Sequence, residues 1–127
     1  MAQTIEQALQ RLARSKFRSH FHLTATDFAY LERHGLEAVQ THAAAFVKTR
    51  LAPAEPWHDG RQTPWRGHPV FVAQHACACC CRGCLQRFWR VPLGVELSAL
   101  QQEKIVRLLM AWILRELQMH QNSQSMV

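Results

Sequence analysis

The sequence predicts a mainly α-helical protein of about four helices packed around a Cys/His metal knuckle. Apolar residues recur at helical spacing in several segments, and all five cysteines fall within one stretch of eight residues, Cys77 to Cys84. The chain has 127 residues, of which 48% are hydrophobic and 19% are charged, as in an ordinary globular domain with its own core. We therefore expect residues 1–127 to form a single domain.

Capping residues mark the first two helices. Thr4 can cap a first helix with Gln7 at the capping-box position, so residues 1–14 are expected to hold an N-terminal helix. After a polar and basic connection, a second helix is expected to begin near Thr24 or Thr26.

A glycine separates the second helix from the third. Gly35 is a favourable residue just past a helix end, and apolar residues then recur at helical spacing from Leu36 to Leu51. Pro53 should end this third helix. Residues 52–69 contain four of the five prolines and predict a long loop, a kind of segment that often carries function.

Two short elements are expected around the cysteines. The run Pro69–Ala73 is rich in β-formers, which suggests a short strand and allows a hairpin near residues 69–75. The residues from Cys81 to Trp89 can form a short helix that leaves the knuckle.

The last helix is the most strongly patterned element. Ser98 can cap it, with Gln101 completing the box, and an apolar stripe continues to Leu117. Residues 121–127 are polar and are expected to form a flexible tail.

Composition limits the cellular setting. No apolar run approaches 18 residues, so we expect no membrane span, and the N-terminus does not have the pattern of a signal peptide. A cytoplasmic location is therefore expected, where thiols serve metal binding or catalysis more often than structural disulfides. The net charge of +6 favours acidic partners such as nucleic acid without proving them.

The clustered thiols point to a metal centre. Adjacent cysteines close almost no loop as disulfides, whereas thiolates and imidazoles are the ligands of zinc and iron–sulfur clusters. Cys81 and Cys84 form a CxxC knuckle around Gly83. Zinc is the expected metal, with an iron–sulfur cluster as the alternative, and the favoured ligands are His75, Cys80, Cys81 and Cys84, with His68 and Cys77 less favoured.

Other interpretations of the thiols stay open. They can be redox-active or simply buried small side chains. If the segment from Cys77 to Cys84 were helical, Cys77, Cys80 or Cys81, and Cys84 would share one face, which suits an iron–sulfur cluster as well as zinc.

Arginines interleave with aromatic residues on both sides of the cysteines. This pattern suits phosphate contact and base stacking, and it predicts binding to DNA or RNA, or to a nucleic-acid-handling complex. The residues concerned are Arg61, Trp65, Arg66, Arg82, Arg87 and Arg90. The alternative is that the aromatic residues belong to the core and the arginines are merely solvated.

Two other functions are alternatives. A metal-dependent hydrolase or nuclease would use His58, Asp59 and His68 around an open metal position. A protein-interaction factor of a phage or its host would use the metal only to hold its fold, with a protein as its partner.

The central motif carries a family resemblance. The run from Asp59 to His75, continued by Cys80-Cys81-Arg82-Gly83-Cys84-Leu85, resembles a small bacterial and phage family known as domain of unknown function 4186. The likeness extends over about residues 15–117, and the resemblance implies no activity. It matches the family at Asp59, Gln62, Thr63, Arg66, His68, His75, Cys80, Cys81 and Cys84.

The chain departs from the family pattern at two places. Cys77 and Cys79 stand where relatives tend to have other residues, so the resemblance implies that neither is an essential ligand. Phe88-Trp89 stands where relatives tend to have Trp-His. If that histidine binds the metal in relatives, this chain must replace it, for instance with His68 or a further cysteine.

Overall fold

The fold is known from a computed structural model that describes residues 3–125. Every regular element in this range is helical, which confirms the predicted fold class. The α-helices are α1 (Ile5–Arg14), α2 (Ala25–Phe46), α3 (Pro69–Ala76), α4 (Arg82–Trp89) and α5 (Ala99–Ser125). A 3₁₀ turn at Arg18–His20 precedes α2, and a π-helical turn at Val47–Leu51 extends it.

Reciprocal capping boxes begin the three longest helices, α1, α2 and α5. In each box the side-chain oxygen of the capping Ser or Thr accepts a hydrogen bond from the backbone N–H three residues later. The side chain of that later residue in turn accepts a hydrogen bond from the backbone N–H of the capping residue. The pairs are Thr4 with Gln7, Thr24 with Asp27, and Ser98 with Gln101. The predicted starts of α1 and α5 are therefore confirmed, and Thr24 rather than Thr26 caps α2.

Gly35 divides α2 into two helical segments. Its φ of 83° and ψ of 159° interrupt the helix at the position where the sequence predicts a break. This combination of dihedral angles is essentially restricted to glycine because a side chain would clash with the backbone. Both halves of α2 bury side chains in the core, Leu31 before the break and Val39 and Ala43 after it.

The prediction of a short strand at Pro69–Ala73 is wrong, because this segment is the first part of α3. Pro69 is favourable in the first turn of a helix, and the His68 side chain caps it by accepting from Val70 N at 3.0 Å. Val70 and Val72 are buried, so packing outweighs the β-propensity of the run. No hairpin forms near residues 69–75.

The core lies between α2, α3 and α5, with α1 packed against α5. Its centre consists of fully buried aliphatic side chains from these helices: Val39, Ala43, Val70, Ala73, Leu109 and Ile113. α5 continues to Ser125, so residues 121–125, expected as a tail, are helical, and residues 126–127 lie outside the described range. No helix within residues 3–125 is both long and apolar enough to cross a membrane.

A buried arginine ties α4 to two connections of the chain. The Arg82 side chain is 1% exposed, and its Nη1 and Nη2 atoms donate to backbone carbonyls on both sides of it in sequence. The acceptors are the carbonyl oxygens of Leu51, Ala52, Pro53, Pro92 and Val95, at 2.6–3.4 Å. This network fixes the end of α2's extension and the 92–95 segment around the first turn of α4.

Candidate metal centre

The thiols of Cys80, Cys81 and Cys84 meet at the start of α4. Their Sγ atoms all lie within 4.8 Å of one another, and all three side chains are buried. Cys81 is the N-cap of α4, and its Sγ accepts from Cys84 N at 3.3 Å. A tetrahedral zinc ion with Zn–S bonds of about 2.3 Å would hold sulfur atoms about 3.8 Å apart. The group is therefore compact enough to hold a metal ion.

Two arginines place positive charge beside these sulfur atoms. Arg18 Nη1 lies 3.8 Å from Cys80 Sγ, and Arg87 Nη2 lies 3.4 Å from Cys84 Sγ. Hydrogen bonds from Cys80 and Cys81 lower the pKa of Cys84, and Arg18 acts in the same direction. Hydrogen bonds with Cys81 and Cys84, together with burial, raise the pKa of Cys80. Cys84 is thus the first of the three to become a thiolate, the form that binds metal.

His75 lies beside the thiol group with a free ring nitrogen. Its Nε2 is 3.2 Å from Thr63 O. Because a carbonyl oxygen can only accept, Nε2 carries the proton and the neutral ring has its lone pair on Nδ1. Nδ1 is buried and has no hydrogen-bond partner among the described residues. Burial also lowers the pKa of His75, which keeps the ring neutral.

This arrangement of His75 is the one that metal-binding histidines use. One ring nitrogen is oriented by a backbone carbonyl, and the other is left to the ion. His75 is not within the 4.8 Å group formed by the three thiols. A shift of the knuckle or of the ring would be needed for one ion to touch all four side chains.

The loop before α3 supports the thiol segment through polar contacts. Thr63 Oγ1 donates to Cys80 O at 2.8 Å. Asp59 Oδ1 accepts from Arg82 N at 3.0 Å and from Gln62 Nε2 at 2.8 Å. These contacts fix the backbone that carries the thiols, and they engage Asp59 Oδ1 in a structural role.

Cys77 and Cys79 lie outside the group formed by the other three thiols. Both side chains belong to the apolar core, at 0% and 1% exposure, and burial raises the pKa of Cys79 to about 12. Burial likewise raises the pKa of Cys77. Neither thiol joins the group of Cys80, Cys81 and Cys84. The helical alternative, in which Cys77 shares a face with Cys84, is therefore corrected, since α4 begins only at Arg82.

His68 has no lone pair to offer a metal. Its Nδ1 accepts from Val70 N, so in the neutral ring Nε2 carries the proton, and Nε2 lies 3.1 Å from His42 Nδ1. Burial, followed by the charge of His42, lowers the pKa of His68 to about 4. The less favoured ligand His68 is therefore the N-cap of α3, at the opposite end of this helix from the segment that carries the thiols.

The predicted nucleic-acid contacts divide into exposed and buried residues. Trp65 is 63% exposed, and its ring stacks on His75 with 4.0 Å between centroids. Arg61, Arg66, Arg87 and Arg90 are also exposed. The prediction that Arg82 contacts nucleic acid is corrected, because its buried guanidinium is already bonded to backbone carbonyls and is not available to a phosphate.

Arg18 belongs to the site, although the sequence alone does not indicate this. Its Nη1 donates to His75 O at 2.8 Å in addition to its contact with Cys80. The two partners lie 57 and 62 residues further along the chain. The only sequence signal is its place within the range of about residues 15–117 over which the family resemblance extends.

Comparison with known families assigns the chain. Residues 6–114 match the family model described as Domain of unknown function (DUF4186). The protein belongs to this family. The match includes most of α1 as well as the segment that holds the thiols and His75. No solved structure matches the chain.

Proposed function

We propose that this member of the DUF4186 family is a zinc-binding module, in which Cys80, Cys81 and Cys84 supply three ligands and His75 Nδ1 the fourth. The observation that supports the proposal best is the meeting of the three buried thiols within 4.8 Å. Three thiolates with one imidazole are a common ligand set of structural zinc sites. A cluster held by four cysteines is less well supported, because Cys77 and Cys79 lie in the core.

The free lone pair of His75 supports a closed site. A buried polar atom without a partner is rare in folded proteins, and Nδ1 of His75 is one such atom. A structural zinc site is closed by four protein ligands, whereas a catalytic site leaves one position for water. A zinc ion bound to three thiolates also carries a surplus negative charge, which Arg18 and Arg87 are placed to balance.

Metal analysis of cysteine variants tests this proposal. Cys84→Ser should lose bound zinc and unfold at lower temperature, because structural metal binding is coupled to folding. Cys79→Ser is the matched control: it removes a neighbouring thiol that faces the core and should keep the metal. Elemental analysis with a visible absorption spectrum of protein purified without air distinguishes zinc from iron–sulfur. Fully folded wild-type protein that binds no metal would refute the proposal.

A histidine pair tests the fourth ligand. His75→Ala should weaken zinc binding and change the absorption of the cobalt-substituted protein, which reports the ligand set. His68→Ala should leave both unchanged, because His68 caps α3 instead. Unchanged zinc affinity and an unchanged cobalt spectrum in His75→Ala would remove His75 from the site while leaving the three thiols in place.

We further propose that the surface beside this centre binds nucleic acid. The supporting observation is that Trp57 and Trp65 are 83% and 63% exposed, in a loop that also presents Arg61 and Arg66. Exposed aromatic faces among cations suit base stacking and phosphate contact.

Binding measurements at several salt concentrations test the second proposal. Arg66→Ala should weaken binding to all sequences and reduce the salt dependence, since each neutralised phosphate contributes to the slope. Trp65→Ala should weaken binding to single-stranded oligonucleotides more than binding to duplexes, because stacking needs an open base face. Arg33→Ala, on the exposed surface of α2, is the control. No binding to DNA or RNA at low salt would favour a protein partner instead.

A further inference from the structure

A second site is suggested by a groove that is lined by none of the three thiols of the candidate metal centre. It lies between α1 and the first half of α5, has a volume of about 650 Å³, and is lined at its floor by Leu85 and Cys79. Trp89 and Val91 also line it. None of the candidate metal ligands lines this groove, so it is separate from the metal centre.

The walls of the groove are apolar over about two helical turns. Ile5 and Ala8 contribute from α1, and Ile105 and Leu108 contribute from α5. The α5 wall runs from Gln101 to Leu108, which corresponds to roughly 12 Å at about 1.5 Å per residue. The volume is in the usual range for sites that enclose small molecules, about 300–1,000 Å³.

The charged residues that line the groove are all cations. They are Arg11, Lys104 and Arg107, with no carboxylate among the lining residues. Within residues 3–125, neither Lys104 nor Arg107 forms an ion pair. Arg11 lies over the rings of Phe88 and Trp89, at 4.5 and 5.2 Å from their centroids, which holds its charge beside the groove. The complementary ligand is an anion.

Of the uncharged polar side chains that line the groove, Gln3 forms no hydrogen bond among the described residues, and the others, including Trp89 Nε1 that donates to Cys77 O, are already engaged. The side-chain oxygen of Thr4 accepts from Gln7 N, and that of Gln101 accepts from Ser98 N, so both are used by capping boxes. A ligand that fits these surroundings has one negative head group and an otherwise apolar body. This description excludes the nucleic acid proposed for the other surface, which presents many phosphates and polar bases.

We infer that this groove binds a monomeric fatty carboxylate, with the alkyl chain along the apolar walls and the carboxylate at Lys104 and Arg107. The charge complementarity of the groove favours this occupant over a neutral lipid. Its length of about two helical turns favours a single chain over a partner helix, which would need a longer trough.

Calorimetric titration with decanoate below its micelle concentration tests the inference on the full-length, metal-loaded protein. Octanoate should bind about fifteenfold more weakly, because each buried methylene contributes about fourfold, equivalent to about 0.8 kcal/mol. Decyltrimethylammonium, which has the same chain with a positive head, should bind at least tenfold more weakly than decanoate. Equal binding of the two decyl compounds, or no binding of decanoate, would overturn the inference.

Charge reversal locates the head group. The double variant Lys104→Glu with Arg107→Glu should weaken the binding of decanoate at least fivefold. The variant should keep its fold, because both side chains are exposed. Arg33→Glu is a control of the same charge type outside the groove. Unchanged decanoate affinity in the folded double variant would refute the assignment. Sedimentation with phosphatidylglycerol vesicles, without binding of free decanoate, would indicate a membrane surface and also refute it.

Discussion

Replacing Arg82 by alanine should destabilise the protein severely without touching a thiol. The guanidinium is 1% exposed and donates to five carbonyl oxygens at 2.6–3.4 Å. Removing one partner of a buried charged network costs about 3–5 kcal/mol because the groups left behind stay desolvated. Two of the acceptors, Pro92 and Val95, belong to exposed residues and can regain water, so we expect the lower end, about 3 kcal/mol.

Urea unfolding followed by circular dichroism measures this loss. For a domain of this size about 3 kcal/mol corresponds to a fall of roughly 10–15 °C in Tm. Arg90→Ala, just past the end of the same helix, is the matched control, and it should change the free energy of unfolding by less than about 0.5 kcal/mol. Arg82→Lys should also be destabilising, since one ammonium cannot reach carbonyls on both sides. A loss below about 1 kcal/mol in Arg82→Ala would refute this reasoning.

Three further perturbations test other parts of the structure. Cys79→Ser should lower the free energy of unfolding by only about 1 kcal/mol, since a hydroxyl can keep the hydrogen bond to Cys77 O, and urea midpoints would show it. The pKa of His68, about 4 when folded, lies below its unfolded value near 6.5, so the unfolded chain takes up the proton first. Stability should therefore fall as the pH drops from about 6.5 to about 4, and His68→Asn, which can still cap α3, should flatten urea midpoints measured across that range. Gly35→Ala should lower the free energy of unfolding by about 1–3 kcal/mol, because alanine is strained at φ 83°, and an unchanged Tm would contradict this reasoning.

The helices with strong local signals could be predicted from the sequence. α1 and α5 follow from capping boxes and apolar stripes, and the break in α2 follows from Gly35. The sequence does not predict α3, because Val70 and Val72 favour a strand. Pro69 and the His68 cap favour the helix locally, and burial of the two valines against α2 and α5 makes it preferable. Local propensity is overruled there by packing between segments distant in sequence.

The candidate site shows the same division. Cys80, Cys81 and Cys84 are close in sequence, so their meeting could be anticipated from spacing alone. The pairing of Arg18 with this segment could not, because it depends on the tertiary fold. Sequence also gives no sign that Arg82 points inward, since arginines are mostly exposed. Distinguishing His75 from His68 requires knowing which ring nitrogen faces a carbonyl and which an N–H.

The contact of Arg18 with His75 O bears on how the site can be studied in isolation. A synthetic peptide covering residues 68–90 would contain every candidate metal ligand. It would lack Arg18, whose guanidinium holds the backbone at His75, and Thr63, whose side chain and carbonyl hold Cys80 and the His75 ring. Metal affinity measured on such a peptide would describe a flexible chain whose ligands are not held in place. The affinity and selectivity of the protein therefore have to be measured on the whole domain.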